Sequence, residues 1–480
     1  MDSDKFHEEC GIFGIFSRHD DVALNTYWGL YALQHRGQES AGIALTDGCS
    51  MDIQRGMGLV GEVFRKSVPN MPQAHIAIGH VRYSTTGSSL LINTQPLLVN
   101  FSGGHISLAH NGNLTNASEV RAALEKKGSV FQTTVDSEVI VHLIARSTKK
   151  TIEEKIIDSL SQIEGAYCLV VMTDDKLIGI RDPHGFRPLC IGKLNGGWVL
   201  ASESCALDTV GAELIRDVEP GEMVIIDDNG LTSRKFGQSD GRALCVFEYI
   251  YFARPDSVID GQSVYEARFA MGRQLARESG FKADLVISVP DSGTVAALGL
   301  SYESGIPFAE GLMKNRYIGR TFIQPEQKTR DLGVRIKLNP NKAVIAGKSV
   351  IMVDDSIVRG TTSGKIVRML KDAGATAVHM CVSSPPIGYP CYYGIDTAVR
   401  KDLVAASKQV DEIRQLIGAD SLYYLSLDGL YSSIPHIKND KMCYACFNSC
   451  YPAHVPCGAE CGSKYMFESN RRGKGGEAVS

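Results

Sequence analysis

Apolar runs are spaced differently in the two halves of this 480-residue chain, so one kind of sheet cannot account for both. In residues 10–231 the runs are short and turn residues separate them, which is typical of antiparallel sheets. These runs include Gly11–Phe16, Ile76–Ile78, Ile106–Ala109, Ala166–Met172 and Met223–Ile226. Helical spacing occurs in Val22–Gln34, Ser118–Lys127 and Ser137–Arg146. We therefore predict an α+β domain in which helices cover antiparallel sheets.

The pattern changes after a polar link at Phe236–Arg242. Strand-like runs now alternate with amphipathic helical stretches, which predicts an α/β domain with a parallel sheet. The runs are Asp284–Val289, Val350–Val353 and Ala377–Val382, and the helical stretches are Glu266–Ser279 and Thr362–Ala373. We predict four segments, namely a leader (1–9), a first domain (10–235), a second domain (243–440) and a Cys-rich C-terminal segment with a frayed tail (441–480).

Composition narrows the class of protein. The net charge of −4, from 50 basic and 54 acidic residues, argues against nucleic-acid binding. No apolar run reaches the roughly 20 residues of a membrane helix, and residues 1–9 lack the apolar core of a secretory signal. We therefore expect a cytoplasmic protein, whose 13 cysteines serve as thiols, metal ligands or catalytic groups instead of disulfides.

Cys10 stands directly before the first strand-like run. If the bond between Glu9 and Cys10 is cut, the freed α-amine has a pKa of about 7.7–8.0 and can act as a base for the thiol of the same residue. The alternative is a buried cysteine behind an uncut start. Either reading is compatible with this residue considered alone.

Three further polar segments follow strands in the first half. Arg82 lies in HVRYSTTG, which places a basic residue beside hydroxyl groups and a glycine after a strand. The Asn111 amide and the Gly112 N–H can stabilise an oxyanion, or the pair can form an ordinary turn. Asp136 can bind a substrate ammonium, or it can cap the helix that begins near Ser137.

These segments resemble a known family. CGIFGIF, LQHRGQESAGI (33–43), HVRYSTTG (80–87), HNGNLTN (110–116) and RDPHGFRPL (181–189) resemble the glutaminase domain of the amidophosphoribosyltransferases. This domain is an N-terminal-nucleophile αββα sandwich. The resemblance implies that Cys10 attacks glutamine, that Arg82 binds its carboxylate and Asp136 its ammonium, and that Asn111 and Gly112 form the oxyanion hole.

A candidate phosphate site lies in the second half. Asp354 and Asp355 follow the buried run Val350–Val353, at the strand end where parallel sheets bind ligands. Gly360–Ser363 then leads into a helix whose N-terminus can bind a phosphate. The two carboxylates can bind ribose hydroxyls or Mg²⁺, and the alternative is a solvated turn.

A second small-residue loop, Val289–Thr294, follows another strand at the same sheet edge. Between the two loops, Lys314–Lys342 carries eight Lys or Arg residues and only two acidic residues. This segment is either a solvated surface loop or a lid that closes on a polyanion.

The second half resembles the type I phosphoribosyltransferase domain of the same family. VIMVDDSIVRGTTS (350–363) resembles its phosphoribosylpyrophosphate signature, and VPDSGTVAALG (289–299) resembles its pyrophosphate loop. The resemblance implies that Ser292, Asp354 and Asp355 surround Mg²⁺. It also implies that Gly360, Thr361, Thr362 and Ser363 hold the 5-phosphate.

The C-terminal cysteines have metal-binding spacing. Cys443 and Cys446 form a C-x-x-C pair, which is compatible with zinc, an iron–sulfur cluster or free thiols. One branch of the family carries a structural [4Fe–4S] cluster and a cleaved leader. That resemblance assigns the cluster to Cys245, Cys391, Cys443 and Cys446. It leaves open whether Cys450, Cys457 or Cys461 replaces one of the four.

The resemblance therefore predicts a glycosyltransferase that opens purine biosynthesis. It would transfer ammonia from glutamine to phosphoribosylpyrophosphate, with release of 5-phosphoribosylamine, pyrophosphate and glutamate. It also implies feedback inhibition by purine nucleotides and a homotetramer. The alternatives are another N-terminal-nucleophile amidotransferase, or a non-catalytic purine-sensing protein with a phosphoribosyltransferase fold. We expect no nucleic-acid or membrane partner.

Overall fold

The computed structural model describes residues 10–83, 87–237, 241–315, 337–396 and 400–455, together with Phe467. The first half is built on antiparallel strands. They are β1 (Gly11–Phe16), β2 (Ser40–Thr46), β3 (Met51–Met57), β4 (Ile76–Arg82), β5 (Leu97–Phe101), β6 (Gly104–Leu114), β7 (Gly165–Thr173), β8 (Leu177–Arg181), β9 (Cys190–Leu194), β10 (Gly197–Ala201), β11 (Glu213–Asp217), β12 (Glu222–Asp227) and β13 (Gly230–Lys235).

These strands form two sheets, ordered β11-β9-β10-β1-β4-β2-β3 and β13-β12-β8-β7-β6-β5. The helices of this half are α1 (Val22–Ala32), α2 (Val60–Phe64), α3 (Ala117–Lys126), α4 (Glu138–Arg146), α5 (Ile152–Leu160) and α6 (Ser204–Val210), with 3₁₀ turns at Val68–Asn70 and Leu91–Asn93. Side chains such as Ile12 and Val170 form a core between the sheets, and separate cores join α1 to one sheet and α3–α5 to the other. This arrangement is the predicted αββα sandwich.

The helix predicted over Val22–Gln34 is α1, which ends at Ala32. The Asp21 side chain caps its start by accepting the Leu24 N–H at 3.0 Å. After the helix the chain turns back toward β4. Gly37 lies so close to β4 that a Cβ there would be 2.6 Å from the backbone nitrogen of Arg82. Only glycine allows this approach, which brings the loop after α1 next to the end of β4.

The second half contains a four-stranded parallel sheet ordered β17-β20-β21-β22. Its strands, with the short strands around it, are β14 (Leu244–Cys245), β15 (Val258–Ile259), β16 (Gln262–Ser263), β17 (Leu285–Ser288), β18 (Leu312–Lys314), β19 (Leu338–Pro340), β20 (Ser349–Asp354), β21 (Ala377–Val382), β22 (Ser421–Tyr424) and β23 (Met442–Cys443). Pairing is parallel throughout the larger sheet, as predicted.

Helices cover both faces of this sheet. They are α7 (Val264–Ser279), α8 (Thr294–Ser304), α9 (Lys342–Ile345), α10 (Thr361–Asp372), α11 (Val410–Ile417), α12 (Leu427–Ser432) and α13 (Ala445–Asn448). A π-helical turn spans Glu248–Phe252, and 3₁₀ turns lie at Arg400–Asp402, Val404–Ala406 and Asn439–Lys441. One core packs α7 and α8 on the sheet, and another packs α10 and α11 on its opposite face. No helix in the described part of the chain combines the length and apolarity needed to cross a membrane.

The C-terminal segment packs against the beginning of the second half. β23 pairs in parallel with β14, so that Cys443 lies opposite Cys245. Met442, Tyr444 and Cys446 belong to the same core as α7 and α8. Residues separated by about 200 positions in the sequence therefore share one small sheet.

Two candidate active sites

Cys10 lies at the entrance of β1, beside the end of β4. Gly11 pairs with Val81, which places Cys10 next to Arg82. The thiol is 8% exposed and donates to the Tyr83 carbonyl oxygen at 3.3 Å. Burial raises the pKa of this thiol to about 11, which leaves little thiolate at neutral pH. An attack by Cys10 therefore requires a base at this position.

Asn111 and Gly112 lie inside β6, paired with β7, so the alternative of an ordinary turn is wrong. The Asn111 side-chain nitrogen is buried and has no hydrogen-bond partner among the described residues. Gly112 has φ +144°, and a Cβ there would lie 2.1 Å from the Ala166 oxygen. An oxyanion hole needs preorganised donors that are not used by the protein itself, and the buried Asn111 amide meets that condition.

Arg82 and Asp136 lie near the same thiol. Both affect the pKa of Cys10, since the guanidinium of Arg82 lowers it and the carboxylate of Asp136 raises it. Arg82 is buried and donates to the carbonyl oxygens of Gly87 and Ser88, both at 3.2 Å. Residues 84–86 of the predicted motif, Thr85 among them, lie outside the described residues.

Asp136 is held as a carboxylate. Burial alone would raise its pKa, but His110 and the N–H groups of Leu114 and Ser137 lower it below its usual value. Those two N–H groups donate to the carboxylate at 2.9 and 2.8 Å. Ser137 is the N-cap of α4 and makes no capping hydrogen bond with its side chain, so the Asp136 carboxylate is the group that contacts the start of this helix. A buried anion beside the thiol suits a substrate ammonium.

The structure adds residues that sequence analysis did not identify. Arg36 follows α1 and donates from its Nε to the Cys10 carbonyl oxygen at 3.1 Å. The same guanidinium binds Glu203 and Glu248, and all three side chains are fully buried. In the sequence, Arg36 is one residue of the motif LQHRGQESAGI (33–43). No sequence signal links Arg36 to a glutamate of the other half.

The second candidate site lies at the carboxyl end of β20. Asp354 and Asp355 are both buried there, which excludes the alternative of a solvated turn. The Asp355 N–H donates to the Asp354 carboxylate at 3.0 Å, and the Ser356 hydroxyl donates to the Asp355 carboxylate at 2.6 Å. Adjacent carboxylates at a parallel strand end can hold Mg²⁺ or ribose hydroxyls.

Two loops flank these carboxylates. Gly293 packs on β20 so closely that a Cβ there would lie 2.4 Å from the Val353 oxygen, which places the loop containing Ser292 beside Asp354. On the other side, Gly360 (φ +83°) is the N-cap of α10 and provides no capping side chain. Thr361, Thr362 and Ser363 form the first turn of α10, where backbone N–H groups and the helix dipole attract a phosphate.

The segment between the loops is partly described. β18 and β19 form an antiparallel hairpin, and Lys314 at its edge binds Asp291 of the neighbouring loop at 2.6 Å. Residues 316–336, which carry most of the predicted lid, lie outside the described residues.

The four predicted cluster cysteines lie near one another where β14 and β23 pair. Burial raises the pKa of Cys446, and so do the neighbouring Cys245, Cys443 and Cys391. The Tyr393 N–H donates to the Cys391 sulfur at 3.3 Å. Cys245, Cys443 and Cys446 are buried and Cys391 is partly buried, and four such sulfurs fit the ligand set of an iron–sulfur cluster.

The sequence also offers a single-ion site and three further C-terminal cysteines as metal-site candidates. Within the described ranges no three His, Cys, Asp or Glu side chains surround one metal-ion position. Cys450 is exposed, and its thiol donates to the Asn448 carbonyl oxygen at 3.7 Å. Cys457 and Cys461 lie outside the described residues.

Comparisons with known proteins match both halves. Residues 80–209 match the family model described as a glutamine amidotransferase domain, and residues 263–390 match the one described as a phosphoribosyl transferase domain. The amidophosphoribosyltransferase of Bacillus subtilis is 51% identical over 94% of this chain and 95% of that protein. That of Archaeoglobus fulgidus is 52% identical over 94% of this chain and 99% of that protein.

Solved structures agree. The glutamine phosphoribosylpyrophosphate amidotransferase of B. subtilis, complexed with ADP and GMP, covers 93% of this chain and 98% of its own, with 50% identity and a TM-score of 0.89. A structure described as the allosteric regulatory enzyme of purine biosynthesis gives 50% identity and a TM-score of 0.90, over 94% of this chain and 97% of its own. Since these matches span both halves, neither alternative of the sequence analysis accounts for the chain. The chain belongs to the amidophosphoribosyltransferase family.

Proposed function

We propose that this chain makes 5-phosphoribosylamine, the first intermediate of purine biosynthesis, from glutamine and phosphoribosylpyrophosphate, with Cys10 as the nucleophile. The observation that carries the residue assignments is the grouping around Cys10. The buried thiol lies beside Arg82 and Asp136, and Asn111 supplies an amide nitrogen without a partner in the described structure.

In the first half-reaction the Cys10 sulfur attacks the amide carbon of glutamine. Arg82 binds the α-carboxylate of glutamine and Asp136 its ammonium. The Asn111 amide and the Gly112 N–H stabilise the oxyanion, whose collapse releases ammonia and leaves a thioester. Water then attacks the thioester, which yields glutamate and restores the thiol.

The base in this step is the α-amine of Cys10 itself, which exists only if residues 1–9 are removed. The raised pKa of the thiol supports the need for a base at this position, because an unassisted thiol would be almost entirely protonated. Intact-mass measurement of the purified protein tests the cleavage. An active protein that still begins at Met1 would contradict it.

In the second half-reaction the ammonia attacks the anomeric carbon of phosphoribosylpyrophosphate, and pyrophosphate leaves. The first turn of α10 (Thr361–Ser363) holds the 5-phosphate through its N–H groups, and the N-cap Gly360 has no side chain to cap that turn. Asp354, Asp355 and Ser292 would hold Mg²⁺, which neutralises charge on the departing pyrophosphate. No side chain of this half is required as a nucleophile.

We further propose a structural [4Fe–4S] cluster on Cys245, Cys391, Cys443 and Cys446. Their mutual proximity supports it, as does the burial of Cys245, Cys443 and Cys446, and the exposed position of Cys450 argues against that residue as a ligand. When bound, the cluster supplies cross-links between distant parts of the chain and takes no part in turnover.

Purine nucleotides are proposed as inhibitors, because the B. subtilis relative was solved with ADP and GMP. Inhibition by added ADP and GMP tests this proposal, and equal activity with and without both nucleotides would contradict it. The cytoplasmic location and the homotetramer stay predictions, and light scattering of the purified protein measures the second.

The reaction is tested by measuring pyrophosphate release with glutamine, with ammonium and without either. We expect release only when phosphoribosylpyrophosphate and a nitrogen source are both present. Cys10→Ala should abolish glutamine-dependent release and keep ammonium-dependent release, because the second site is intact. Glutamine-dependent release by that variant would contradict the assignment of Cys10.

The cluster is tested by iron and sulfide content. We expect about four of each per chain in anaerobically purified protein, and we expect Cys446→Ser to lose both together with thermal stability. Cys49→Ser is the matched control, because Cys49 is an exposed cysteine of the first half. Full iron content in Cys446→Ser would remove Cys446 from the ligand set.

A further inference from the structure

Glu248, in the π-helical turn of the second half, forms a buried ion pair with the first half. Its two carboxylate oxygens accept from the two terminal nitrogens of Arg36, at 2.8 and 3.0 Å. Neither side chain is exposed to solvent. A bidentate pair of this kind fixes the relative position of the two groups as well as their charges.

Arg36 transmits this position to the nucleophile. Its Nε donates to the Cys10 carbonyl oxygen at 3.1 Å, while the other edge of the guanidinium binds Glu248. Because the guanidinium is planar and has donors on both edges, it connects the Cys10 carbonyl oxygen to Glu248 without intervening flexible bonds. Glu203 holds the same guanidinium at 2.6 Å, so it stays paired even when Glu248 changes.

Glu248 is also linked, through Arg187, to the segment that packs against Gly112. Arg187 lies 3.5 Å from the Glu248 carboxylate and donates to the Tyr393 carbonyl oxygen at 2.6 Å. The next residue, Gly394, packs on the oxyanion strand, and a Cβ there would be 3.3 Å from the carbonyl carbon of Gly112.

A second contact supports the same strand. Asn113, the neighbour of Gly112 on β6, donates from its side chain to the Tyr392 carbonyl oxygen at 3.0 Å. Residues 392–394 belong to the second half, so the oxyanion strand is backed by backbone from outside its own domain.

We propose that Glu248 is a positioning residue for glutamine hydrolysis, contributed by the transferase half. Through Arg36 it fixes the backbone of Cys10, and through Arg187 it fixes the segment that backs Gly112. The glutaminase geometry is therefore complete only when the transferase half is packed against it. This inference rests on the proposed role of Cys10 and Gly112 in glutamine hydrolysis.

The test compares Glu248→Gln with the unaltered protein in two reactions. We expect kcat/KM for glutamine to fall about 30-fold, because small displacements of reacting groups cost factors of this size. Ammonium-dependent pyrophosphate release should stay within about twofold, since it does not use Cys10. Alkylation of Cys10 by a diazoketone analogue of glutamine should slow in parallel, which reports on the nucleophile directly.

Asp260→Asn is the matched control. Asp260 is also a buried carboxylate of the second half, and it pairs with the buried Arg181 of the first half at 2.9 Å without contacting Cys10 or Gly112. We expect it to lower stability and to keep the ratio of glutamine- to ammonium-dependent activity. If Glu248→Gln does not fold, Glu248→Asp is tested by the same ratio of glutamine- to ammonium-dependent activity. Aspartate keeps the negative charge, but its shorter side chain moves the carboxylate away from Arg36.

An unchanged ratio in the folded Glu248 variant would overturn the proposal, and so would equal loss of both activities with iron content and melting temperature retained. Failure of the proposed function is distinguishable, because then the unaltered protein would itself lack glutamine-dependent pyrophosphate release.

Discussion

At the scale of single residues, the glutaminase site depends on positions whose identity is fixed by space. Gly112 has a left-handed φ, and an oxygen atom of β7 occupies the position that a side chain on Gly112 would take. Asn111 lies in β6 beside Gly112, so the backbone of β6 fixes the position of its unsatisfied amide. The motif predicted both residues, but it could not show that they lie within a strand and not at a turn.

We therefore predict that Gly112→Ala loses glutamine-dependent activity by about 100-fold or more, the usual cost of losing one oxyanion donor. The added Cβ would lie 2.1 Å from the Ala166 oxygen, so the strand and the Gly112 N–H must shift. Steady-state assays with glutamine and with ammonium check this, and the ammonium reaction should be unaffected.

Gly128→Ala is the control for Gly112→Ala. Gly128 also has a positive φ (+85°), but nothing lies within 4 Å of the position of its Cβ. It should cost about 1 kcal/mol of stability from backbone strain alone and leave both activities intact. Glutamine turnover that is equal in the two variants would show that the close contact has no role.

At the scale of elements, the apolar runs predicted several buried strands, whereas the buried strands β2 and β8 and the polar edge strands were not among them. β1 was predicted with its observed bounds because all six of its residues are buried and apolar or glycine. β3, β11 and β13 were not predicted, because these edge strands are polar and partly exposed. A strand whose pairing partner supplies its stability carries little signal of its own.

The turn between β20 and α10 was predicted in full because its chemistry is local. Asp354, Asp355 and the first turn of α10 lie within ten residues, and their positions follow from one strand end and one helix start. The clustering of the cysteines was not derivable in this way. Cys245 and Cys443 become neighbours only through the pairing of β14 with β23.

For this element we predict that Asp355→Asn lowers glutamine- and ammonium-dependent activity equally, by roughly 10- to 100-fold, as expected for losing a charged hydrogen-bonding group. Both reactions consume phosphoribosylpyrophosphate, so the ratio between them should not change. Pyrophosphate release with each nitrogen source measures this. Asp372→Asn, at the exposed far end of α10, should behave like the unaltered protein, and a changed ratio in Asp355→Asn would place Asp355 outside the second site.

At the scale of the whole molecule, the two halves meet through buried charges that sequence patterns do not reveal. Arg181 of the first half binds Asp260 of the second, and Arg242 also pairs with Asp260. Arg36 and Glu248 are 212 positions apart in the sequence. Each partner alone is an ordinary charged residue, so only the folded chain shows that they form an interface.

Asp217 makes that interface sensitive to pH. Burial and the neighbouring Asp260 raise the pKa of Asp217, although Arg181 partly opposes this. The same carboxyl has a pKa of about 3.9 in an unfolded chain. Between about pH 4 and the raised pKa of the folded state, the folded protein therefore binds more protons than the unfolded chain, and the free energy of unfolding falls as pH rises through that range.

Asparagine cannot ionise, so the free energy of unfolding of Asp217→Asn should not fall in this way as pH rises. We predict that the variant matches the unaltered protein in stability at pH 4 and is more stable than it at pH 8. Urea unfolding at several pH values measures the difference, with Asp208→Asn, an exposed aspartate on α6, as the control. A variant that is less stable than the unaltered protein at pH 8 would show that the Asp217 carboxylate stabilises the interface through Arg181 and Arg242, and that the repulsion from Asp260 is the smaller effect.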